Sequence, residues 1–454
     1  MKRTLPVAPC AQTCAPTSAD GACTHPIADL SLVPDQGPAP NPYPKLNLSS
    51  GPAPSLDKSR ALALRLAAQQ LWHPLFREPA ELVSWMGAVQ AQDVAGAKWA
   101  LALRLQPEGM AQMEEALREG RILRTHVMRP TWHWVAAADI RWMVALTGRR
   151  IQQANAWLAR DRGLEISETH FRACKDRIAG MLAGGHALTK QEIGERLAEK
   201  GVPADAPYLT RYLMRAETDG LLCSGPEKEG KQTYALLDER VPPYPALTDE
   251  EALALLARRY FQSHSPASLA DFAWWSGLSV AEARRAVGAI ESELSPCMAD
   301  GNRGWVHHAA SERLARIEER VGPAEEALGN VAHLLPPYDE YLVSYKNRTL
   351  VLDQAHARKA YNSYGIFYPV VLQGGRIRGN WARMPKGGAA SESLSASPKK
   401  RKAEEAREAK MRACLSFFEA ACLETTAPPH DSPLSEAVRR YLRFTSLTGS
   451  ASAD

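Results

Sequence analysis

The chain has 454 residues, more than one ordinary hydrophobic core supports, so its length predicts two to four domains. Hydrophobic residues account for 45% of the chain and charged residues for 23%, a balance typical of soluble globular proteins. The 55 basic and 51 acidic residues leave a net charge of +4, which permits a nucleic-acid partner without requiring one, because nucleic acid binds local basic patches.

The pattern of apolar residues argues against a membrane location and against secretion. No apolar run approaches the ~20 residues that a membrane-spanning helix needs, so we expect no membrane partner. The N-terminus carries Lys2 and Arg3 but lacks the apolar segment of a secretory signal. The cytoplasm is therefore the simplest location.

Residues 1–55 are predicted to be a disordered leader. They contain 11 of the 32 prolines and one aromatic residue, Tyr43, so they bury too little apolar surface to offset the entropy of ordering. Three cysteines and a histidine here can be drawn as a zinc site, but no helix or hairpin pattern accompanies them, and we predict no metal site. These four residues are Cys10, Cys14, Cys23 and His25.

Residues 56–160 are predicted to form a first winged-helix region. Four helical patterns come first, and two apolar stretches, RILRTHVM and TWHWVA, then predict paired strands. The helical patterns cover 57–72, 79–88, 94–105 and 110–118.

Residues 161–245 are predicted to form a second winged helix. Thr189 and Glu192 have the spacing of a capping box ahead of a helical pattern. A second helix stops near Gly220, and two short strands follow around a charged, glycine-containing turn.

Residues 246–330 repeat this order in a predicted third winged helix. Capping boxes at Ser268/Asp271 and Ser279/Glu282 flank a turn at Gly277, and CMADGNRGWVHHA supplies a hairpin. Tandem winged helices are suited to a long ligand such as duplex DNA, although the same module also serves in protein–protein contacts.

From residue 331 the pattern becomes β-rich. We expect a small antiparallel barrel or sheet over 331–385, with Gly374 and Gly375 as a two-residue hairpin turn. Residues 386–454 are predicted to be a charged linker and C-terminal helices. The predicted fold class is mainly α with β (α+β), with tandem winged helix-turn-helix repeats plus this small β-barrel or sheet element.

Several phrases occur together in one order over residues 57–385: RLAAQQL, GAVQAQD, LRTHVMRPTWHWVAAADIRWM, ARRYFQSHSPASLADFAWWSGL, LLPPYDEYLVSYKNR and GGRIRGNW. In these phrases the chain resembles the AlkZ/YcaQ-like winged-helix family, bacterial DNA glycosylases that excise alkylated bases and unhook interstrand crosslinks. The resemblance implies three tandem winged helices with a β-barrel element, curved around DNA. It also implies a catalytic pair in a Gln–apolar–Gln motif, which Gln90-Ala91-Gln92 matches; some relatives have Asp at the second position.

The two glutamines of this motif have two interpretations. In a helix their side chains would point about 200° apart, whereas in an extended segment both point the same way. From the residues alone, satisfying backbone groups at a helix–strand junction is the simpler role for Gln90 and Gln92. The resemblance favours catalysis instead.

The chemistry of such a pair points to a cationic substrate. An amide is a weak base, but its carbonyl oxygen accepts a hydrogen bond from water and its dipole faces developing positive charge. An N7-alkylated purine is already a cationic leaving group and needs no acid to depart. Asp93 is the adjacent source of more base strength, although a bend after Gln92 is required to bring it to the same side.

The segment Arg124–Trp134 supplies further candidate site residues. On an extended chain Thr131 and His133 share one face, and Trp132 and Trp134 share the other. His126 and His133 either support catalysis or phosphate binding, or are satisfied core histidines. Arg124 and Arg129 are candidates for phosphate contacts on DNA.

Two further sets of charged residues lie in the β-rich region. Arg376 and Arg378 occupy alternate positions of one predicted strand, where they are candidates for contacts along the DNA backbone. Asp339 is predicted to pair with Arg348 in a structural role.

These observations support a monofunctional DNA glycosylase that hydrolyses cationic N-alkylpurine nucleotides, including bulky or crosslinked adducts, without a cofactor. We expect a monomer that acts on double-stranded DNA in the cytoplasm, associated with a bacterial nucleoid. The alternative is a noncatalytic winged-helix DNA-binding regulator, although we find no ligand-sensing or dimerisation segment. A metal-dependent nuclease lacks the clustered acidic motif that it would need.

Overall fold

The computed structural model describes residues 53–161, 163–382, 414–418 and 432–447. The helices are α1 (Lys58–Ala68), α2 (Pro79–Met86), α3 (Val94–Ala102), α4 (Pro107–Glu119), α5 (Ala137–Asp161), α6 (Glu168–Leu182), α7 (Lys190–Glu199), α8 (Ala206–Thr218), α9 (Leu237–Arg240), α10 (Asp249–His264), α11 (Leu269–Ser276), α12 (Val280–Ala289), α13 (His308–Val321), α14 (Ala324–Ala327), α15 (Glu340–Val343), α16 (Ala357–Ala360) and α17 (Pro433–Leu447).

The strands are short and belong to four sheets. They are β1 (Ser55–Leu56), β2 (Val89–Gln90), β3 (Ile122–His126), β4 (Trp132–Ala136), β5 (Leu188–Thr189), β6 (Leu222–Ser224), β7 (Thr233–Leu236), β8 (Leu294–Ala299), β9 (Asn302–His307), β10 (Ala332–Leu335), β11 (Val370–Gln373), β12 (Arg376–Ala382) and β13 (Cys414–Phe417). All strand pairs are antiparallel except β1 with β8. This mixture of helices with small sheets confirms the predicted α+β class.

Three segments of the chain share one topology, and we call them unit one (residues 89–136), unit two (188–236) and unit three (267–307). In each unit an extended segment precedes two helices and a hairpin, and this segment pairs with the second strand of the hairpin. The sheet orders are β2-β4-β3 and β5-β7-β6, and in unit three Ala267 pairs with Trp305 of β9. The described residues therefore contain the predicted order of helix, helix and hairpin three times.

Local sequence signals explain where several of these helices begin. A capping box satisfies two backbone N–H groups at once, because the N-cap hydroxyl and an acidic side chain three residues later bind each other's backbone. The boxes predicted at Thr189, Ser268 and Ser279 are confirmed, and a further one begins α10 at Thr248.

Three hydrophobic clusters form the core, and they do not follow chain order. The first cluster packs α6 against the helices and strands of unit two. The second joins strand residues of unit one, such as Leu123 and Val135, to α5, α10 and unit three. The third joins α1–α4 to α13, to β10–β12 and to α17. Because unit one contributes to two clusters, it lies between the other parts of the molecule, and the predicted domain boundaries stay predictions.

The fourth sheet has the open order β10-β11-β12-β13. Among the described residues its first and last strands do not pair, so the β-rich element is a sheet and the barrel alternative is wrong there. Gly374 and Gly375, at φ 57° and 77°, form the predicted turn between β11 and β12. Both φ angles are positive, which favours glycine.

Two long-range contacts hold helices beside unit one. The turn after α11 brings Gly277 so close to the β3–β4 loop that an added Cβ would lie 2.5 Å from the Met128 carbonyl oxygen. At the other end of the unit, Arg440 of α17 donates to the carbonyl oxygens of Ala102 and Leu105 and so caps α3. The C-terminal helix is thereby fixed to the helix that follows the Gln motif.

Some predictions are corrected or fall outside this description. Asp339 does not pair with Arg348: both its oxygens accept from Arg104, at 2.9 and 2.8 Å, because both side chains are buried beside α3. Residues 1–52, with the candidate zinc ligands, and residues 383–413 lie outside the described residues. Within the described part, no helix has the length and apolar character to cross a membrane, and no cluster of potential metal ligands occurs.

Candidate active site

The Gln motif lies at the junction between the edge strand β2 and helix α3. Gln90 is the last residue of β2 and pairs with His133 of β4. The chain then bends at Gln92 and Asp93 before α3 begins. The expected extended conformation therefore holds at Gln90, whereas Gln92 lies just beyond the end of the strand.

Strand register separates the candidate residues onto the two faces of the sheet. Gln90, His133 and Thr125 are directly opposite one another across the three strands, so their side chains share one face. Arg124 and His126 occupy the alternate positions of β3 and therefore belong to the other face. Of the two candidate histidines, only His133 lies on the side of Gln90.

Two charged residues bind Gln90. Its backbone N–H donates to Glu340 Oε1 at 2.6 Å, and its side-chain oxygen accepts from Arg129 Nη2 at 3.2 Å. Its amide nitrogen, Nε2, is buried and has no hydrogen-bond partner among the described residues. With 3% of its surface exposed, Gln90 is an interior polar residue.

Glu340 is the anion of this network. Its Oε2 accepts from Trp275 Nε1 at 3.3 Å and from the Ser344 hydroxyl, and His264 Nε2 lies 3.8 Å away. Burial raises the pKa of Glu340, but His264, the Ser344 hydroxyl and the Gln90 N–H stabilise the ionised form more strongly and lower its pKa to about 2. The carboxylate is therefore charged at neutral pH although it is 1% exposed.

Arg129 is the cation of the same network. It is 4% exposed, and this burial lowers its pKa to about 10, an effect that the negative charge of Glu340 partly opposes. The guanidinium thus stays charged at neutral pH. In the structure Arg129 is directed at Gln90 inside the site. The phosphate contact predicted for Arg129 stays a prediction.

His133 is neutral in this environment. Burial, together with the positive charge of Arg129, lowers its pKa to about 3. Its Nδ1 lies 3.0 Å from the carbonyl oxygen of Thr131, and a carbonyl only accepts, so Nδ1 carries the proton. Nε2 is therefore a free acceptor, buried and without a partner in the part of the chain that the structure describes.

The side-chain oxygens of Gln92 and Asp93 differ in their hydrogen bonds. Gln92 is half-buried, and its side-chain oxygen has no hydrogen-bond partner within the described ranges. Asp93 is the N-cap of α3, where its carboxylate accepts from the Gly96 N–H at 3.1 Å. Asp93 therefore starts the helix, and the catalytic support predicted for Asp93 stays a prediction.

On the opposite face of the sheet the polar groups are paired. His126 Nδ1 lies 2.5 Å from Glu217 Oε2 of α8, and its ring packs on Trp132. Arg124 donates to the Ala91 carbonyl oxygen at 3.0 Å and stacks over the same Trp132. These contacts give both residues a structural role, and the catalytic support predicted for His126 and the phosphate contact predicted for Arg124 stay predictions.

The remaining candidates lie on strand β12 of the fourth sheet. Arg376 is half-buried and Arg378 is exposed, and the buried Ile377 between them confirms that the two arginines share a face of β12. Contact of this face with DNA stays a prediction.

The network contains a carboxylate that sequence reasoning did not single out, that of Glu340. The only local signal is a pair of acids, Asp339 and Glu340, directly before the apolar run YLV, which is an unusual place for two carboxylates. The size of a cavity does not lead to the Gln motif either. A cavity of about 390 Å³ is lined by Lys346, Arg348 and Tyr361 among others, and neither glutamine lines it.

Comparisons with known proteins agree on one family. A family model described as DNA glycosylase AlkZ-like matches residues 83–444. Among solved structures, Streptomyces sahachiroi DNA glycosylase AlkZ superimposes with a TM-score of 0.64 at 20% identity, covering 86% of this chain and 97% of that one. At that identity the likeness concerns the fold. No curated protein matches the sequence.

Proposed function

The chain belongs to the AlkZ-like DNA glycosylase family, and from that premise we propose that it is a monofunctional DNA N-glycosylase for cationic N-alkylated purines. The proposal includes bulky and interstrand-crosslinked adducts, as the family resemblance implies. Its substrate is double-stranded DNA, on which the protein acts as a monomer, in the cytoplasm at the nucleoid.

One observation carries the proposal: buried amide atoms of Gln90 and Gln92 have no hydrogen-bond partner among the described residues, beside a neutral His133. Leaving such groups unpaired costs about 1–3 kcal/mol each, and a bound water would pair with the amide atoms of both glutamines. A water molecule held between an amide N–H and an amide oxygen is that ligand and is the nucleophile in the reaction.

The reaction balances without a strong acid or base. Water adds to C1′ of the damaged nucleotide while the bond from C1′ to the purine nitrogen breaks. The bonding electrons return to the cationic purine, which leaves as a neutral base, and the proton of the water passes to solvent. The dipole of the Gln92 carbonyl faces the positive charge that develops on the sugar.

A monofunctional product follows from the same residues. Strand cleavage by a glycosylase requires an amine that forms a Schiff base with the sugar. Arg129 and Glu340, which bind Gln90, and His133, which lies opposite Gln90, supply no such amine. The expected product is an intact strand with an abasic site.

Units one, two and three supply the proposed DNA-binding scaffold. Their shared order of strand, helix, helix and hairpin is that of winged helices, which place a helix or a wing against DNA. The face of β12 with Arg376 and Arg378 adds positive charge for contacts with phosphates.

The proposal is tested on a duplex with one N7-methylguanine, heated in alkali after incubation to convert abasic sites to strand breaks. We expect breaks at the lesion with the wild-type protein and none before the alkali step. The Gln90→Met/Gln92→Met double variant, which keeps the side-chain volume, should bind the duplex but produce no breaks beyond those in a sample without protein. Wild-type binding without breaks on alkylated DNA would favour the noncatalytic DNA-binding alternative.

A further inference from the structure

The buried pair of Arg129 and Glu340 holds the first glutamine of the motif at both its backbone and its side chain. Glu340 accepts from the Gln90 N–H, and Arg129 donates to the Gln90 side-chain oxygen. Both residues are nearly fully buried, and both lie outside the Gln–Ala–Gln motif. If the proposed function holds, this pair decides how Gln90 presents its amide.

The chemistry of arginine settles which way the Gln90 amide faces. A guanidinium has only donors, so the group that meets Arg129 is the Gln90 oxygen and not its nitrogen. The Gln90 nitrogen, with two N–H donors, then faces away from Arg129 and is the atom left without a partner in the described chain. For Gln92 the buried atom without a partner in the described chain is the oxygen, an acceptor. The two amides are therefore not equivalent.

Glu340 and its neighbours keep this arrangement rigid. Trp275 and Ser344 both donate to the second carboxylate oxygen, which leaves the first for the Gln90 N–H. The carboxylate also offsets the buried charge of Arg129, which would otherwise be uncompensated. Removing either charge thus disturbs the other one as well as Gln90.

We propose that Arg129 and Glu340 are positioning residues that make the glutamine pair asymmetric, with Gln90 as hydrogen-bond donor and Gln92 as acceptor for the attacking water. This inference rests on the proposed function and deepens it. Gln92 supplies the unpartnered carbonyl oxygen that orients the water, and Gln90 fixes the position of the same water through its N–H.

The asymmetry is tested by substituting glutamate at each position in turn. Gln92→Glu keeps an acceptor where the water binds, so its single-turnover excision rate should stay within about tenfold of wild type. Gln90→Glu loses the only donor and brings two oxygens to Arg129, so its rate should fall about 100-fold or more. Equal losses in the two variants would overturn the asymmetry.

The positioning roles are tested by Arg129→Met and Glu340→Gln. Misplacing a reacting group by about 1 Å costs on the order of 100-fold, so we expect about that loss for Arg129→Met and a smaller loss for Glu340→Gln. Arg129→Lys keeps one charged donor and should recover part of the rate. Affinity for undamaged duplex should stay within twofold (~0.4 kcal/mol) in all three variants.

Glu217→Gln is the matched control. Glu217 is also 1% exposed and also contacts a strand of the same sheet, but on the opposite face, through His126. Its replacement should leave the excision rate near that of wild type while costing stability. A loss in Glu217→Gln as large as that in Glu340→Gln would make the effect one of folding and overturn the inference.

A double variant separates positioning from independent effects. If Arg129 acts through Gln90, then Arg129→Met should cause no further loss in a Gln90→Met background. Additive losses would contradict the inference while leaving the proposed function intact. Absence of excision in the wild type would instead refute the proposed function.

A second readout does not depend on activity. In protein labelled with ¹⁵N-glutamine, the side-chain amide signals of Gln90 are identified by their disappearance in Gln90→Met. These signals should shift in Arg129→Met and Glu340→Gln, and much less in Glu217→Gln. Unmoved signals would show that the pair does not set the Gln90 amide, whether or not the wild type excises bases.

Discussion

Units one and two share the same topology, the same strand order and nearly the same register. In unit two the edge strand ends at Thr189, opposite Thr233, and Thr189 is also the N-cap of the next helix. In unit one the edge strand ends at Gln90, opposite His133, but the N-cap is Asp93. Unit one therefore has two additional residues, Ala91 and Gln92, between the edge strand and the N-cap of the helix.

The two additional residues change the hydrogen bonds that the polar side chains make at the junction. The hydroxyl and the backbone N–H of Thr189 are both bonded to Glu192, so that polar junction is complete. Gln90 and Gln92 take no part in capping and retain unpartnered amide atoms within the described chain. The same topology thus builds a structural junction in unit two and a candidate site in unit one.

The largest expected effect is on the excision rate, and it distinguishes the junction of unit one from that of unit two. Gln92→Met should lower the single-turnover excision rate about 100-fold or more, because it removes the acceptor that orients water. Thr189→Val, the corresponding change in unit two, should leave the rate unchanged. Quenched-flow assays on duplex with N7-methylguanine measure both rates, and a Gln92→Met enzyme of wild-type rate would contradict the account.

As the pH falls, unit one should lose stability at a higher pH than unit two. The pKa of His133 is about 3 in the folded protein against an ordinary 6.5, so the unfolded chain binds a proton first, and stability falls as the pH falls from 6.5 towards 3. In unit two the Lys228 contact and the Thr189 bonds hold the pKa of Glu192 at about 2 against an ordinary 4.5, so its contribution falls only between pH 4.5 and 2.

Hydrogen exchange measures this difference. Between pH 7.5 and 5.5 the opening free energy of β4 should fall by about 1 kcal/mol, after correction for intrinsic exchange, while that of β7 stays constant. His133→Gln should abolish the change in β4. Equal falls in the two strands would contradict the assignment to His133.

A smaller effect concerns the stability of the junction in unit two. Thr189→Ala removes the capping hydroxyl and should lower the free energy of unfolding by about 1 kcal/mol. Chemical denaturation measures this change, and the excision rate should stay that of wild type. Loss of excision with normal stability would place Thr189 in the site and end the distinction between the two junctions.

The smallest expected effect concerns DNA contacts outside both units. Arg378→Ala on β12 should weaken binding to damaged and undamaged duplex alike and reduce the slope of log affinity against log salt by about 1. A titration at several salt concentrations measures the slope, with Arg118→Ala, an exposed arginine of α4, as control. An unchanged slope in Arg378→Ala would remove β12 from the interface.

Signals that act over a few residues predicted much of this fold. The capping boxes at Thr189, Ser268 and Ser279 and the Gly374-Gly375 turn each depend on neighbours along the chain, so the sequence is sufficient to place them. Alternation along β4 likewise places Trp132 and Trp134 on the face opposite that of His133. Whether the β-rich sheet stays open or closes into a barrel could not be predicted. Closure depends on pairing between strands that lie far apart in the sequence.

The site was predictable only in part, for the same reason. Glu340 lies 250 residues from Gln90, and no local pattern connects the two. Arg129 lies in the β3–β4 loop, where Met128 at φ 64° interrupts the alternation that would assign it to a face. His126 and His133 appear equivalent in the sequence, and only the strand register separates them.

The most direct test of the central claim is release of the free base. Wild-type protein and the Gln90→Met/Gln92→Met variant are each incubated with duplex containing N7-methylguanine, and the supernatant is analysed by mass spectrometry. We predict free N7-methylguanine in a first-order time course with the wild type and only the spontaneous background with the variant. Equal release by the two proteins, or none above background by either, would contradict the account.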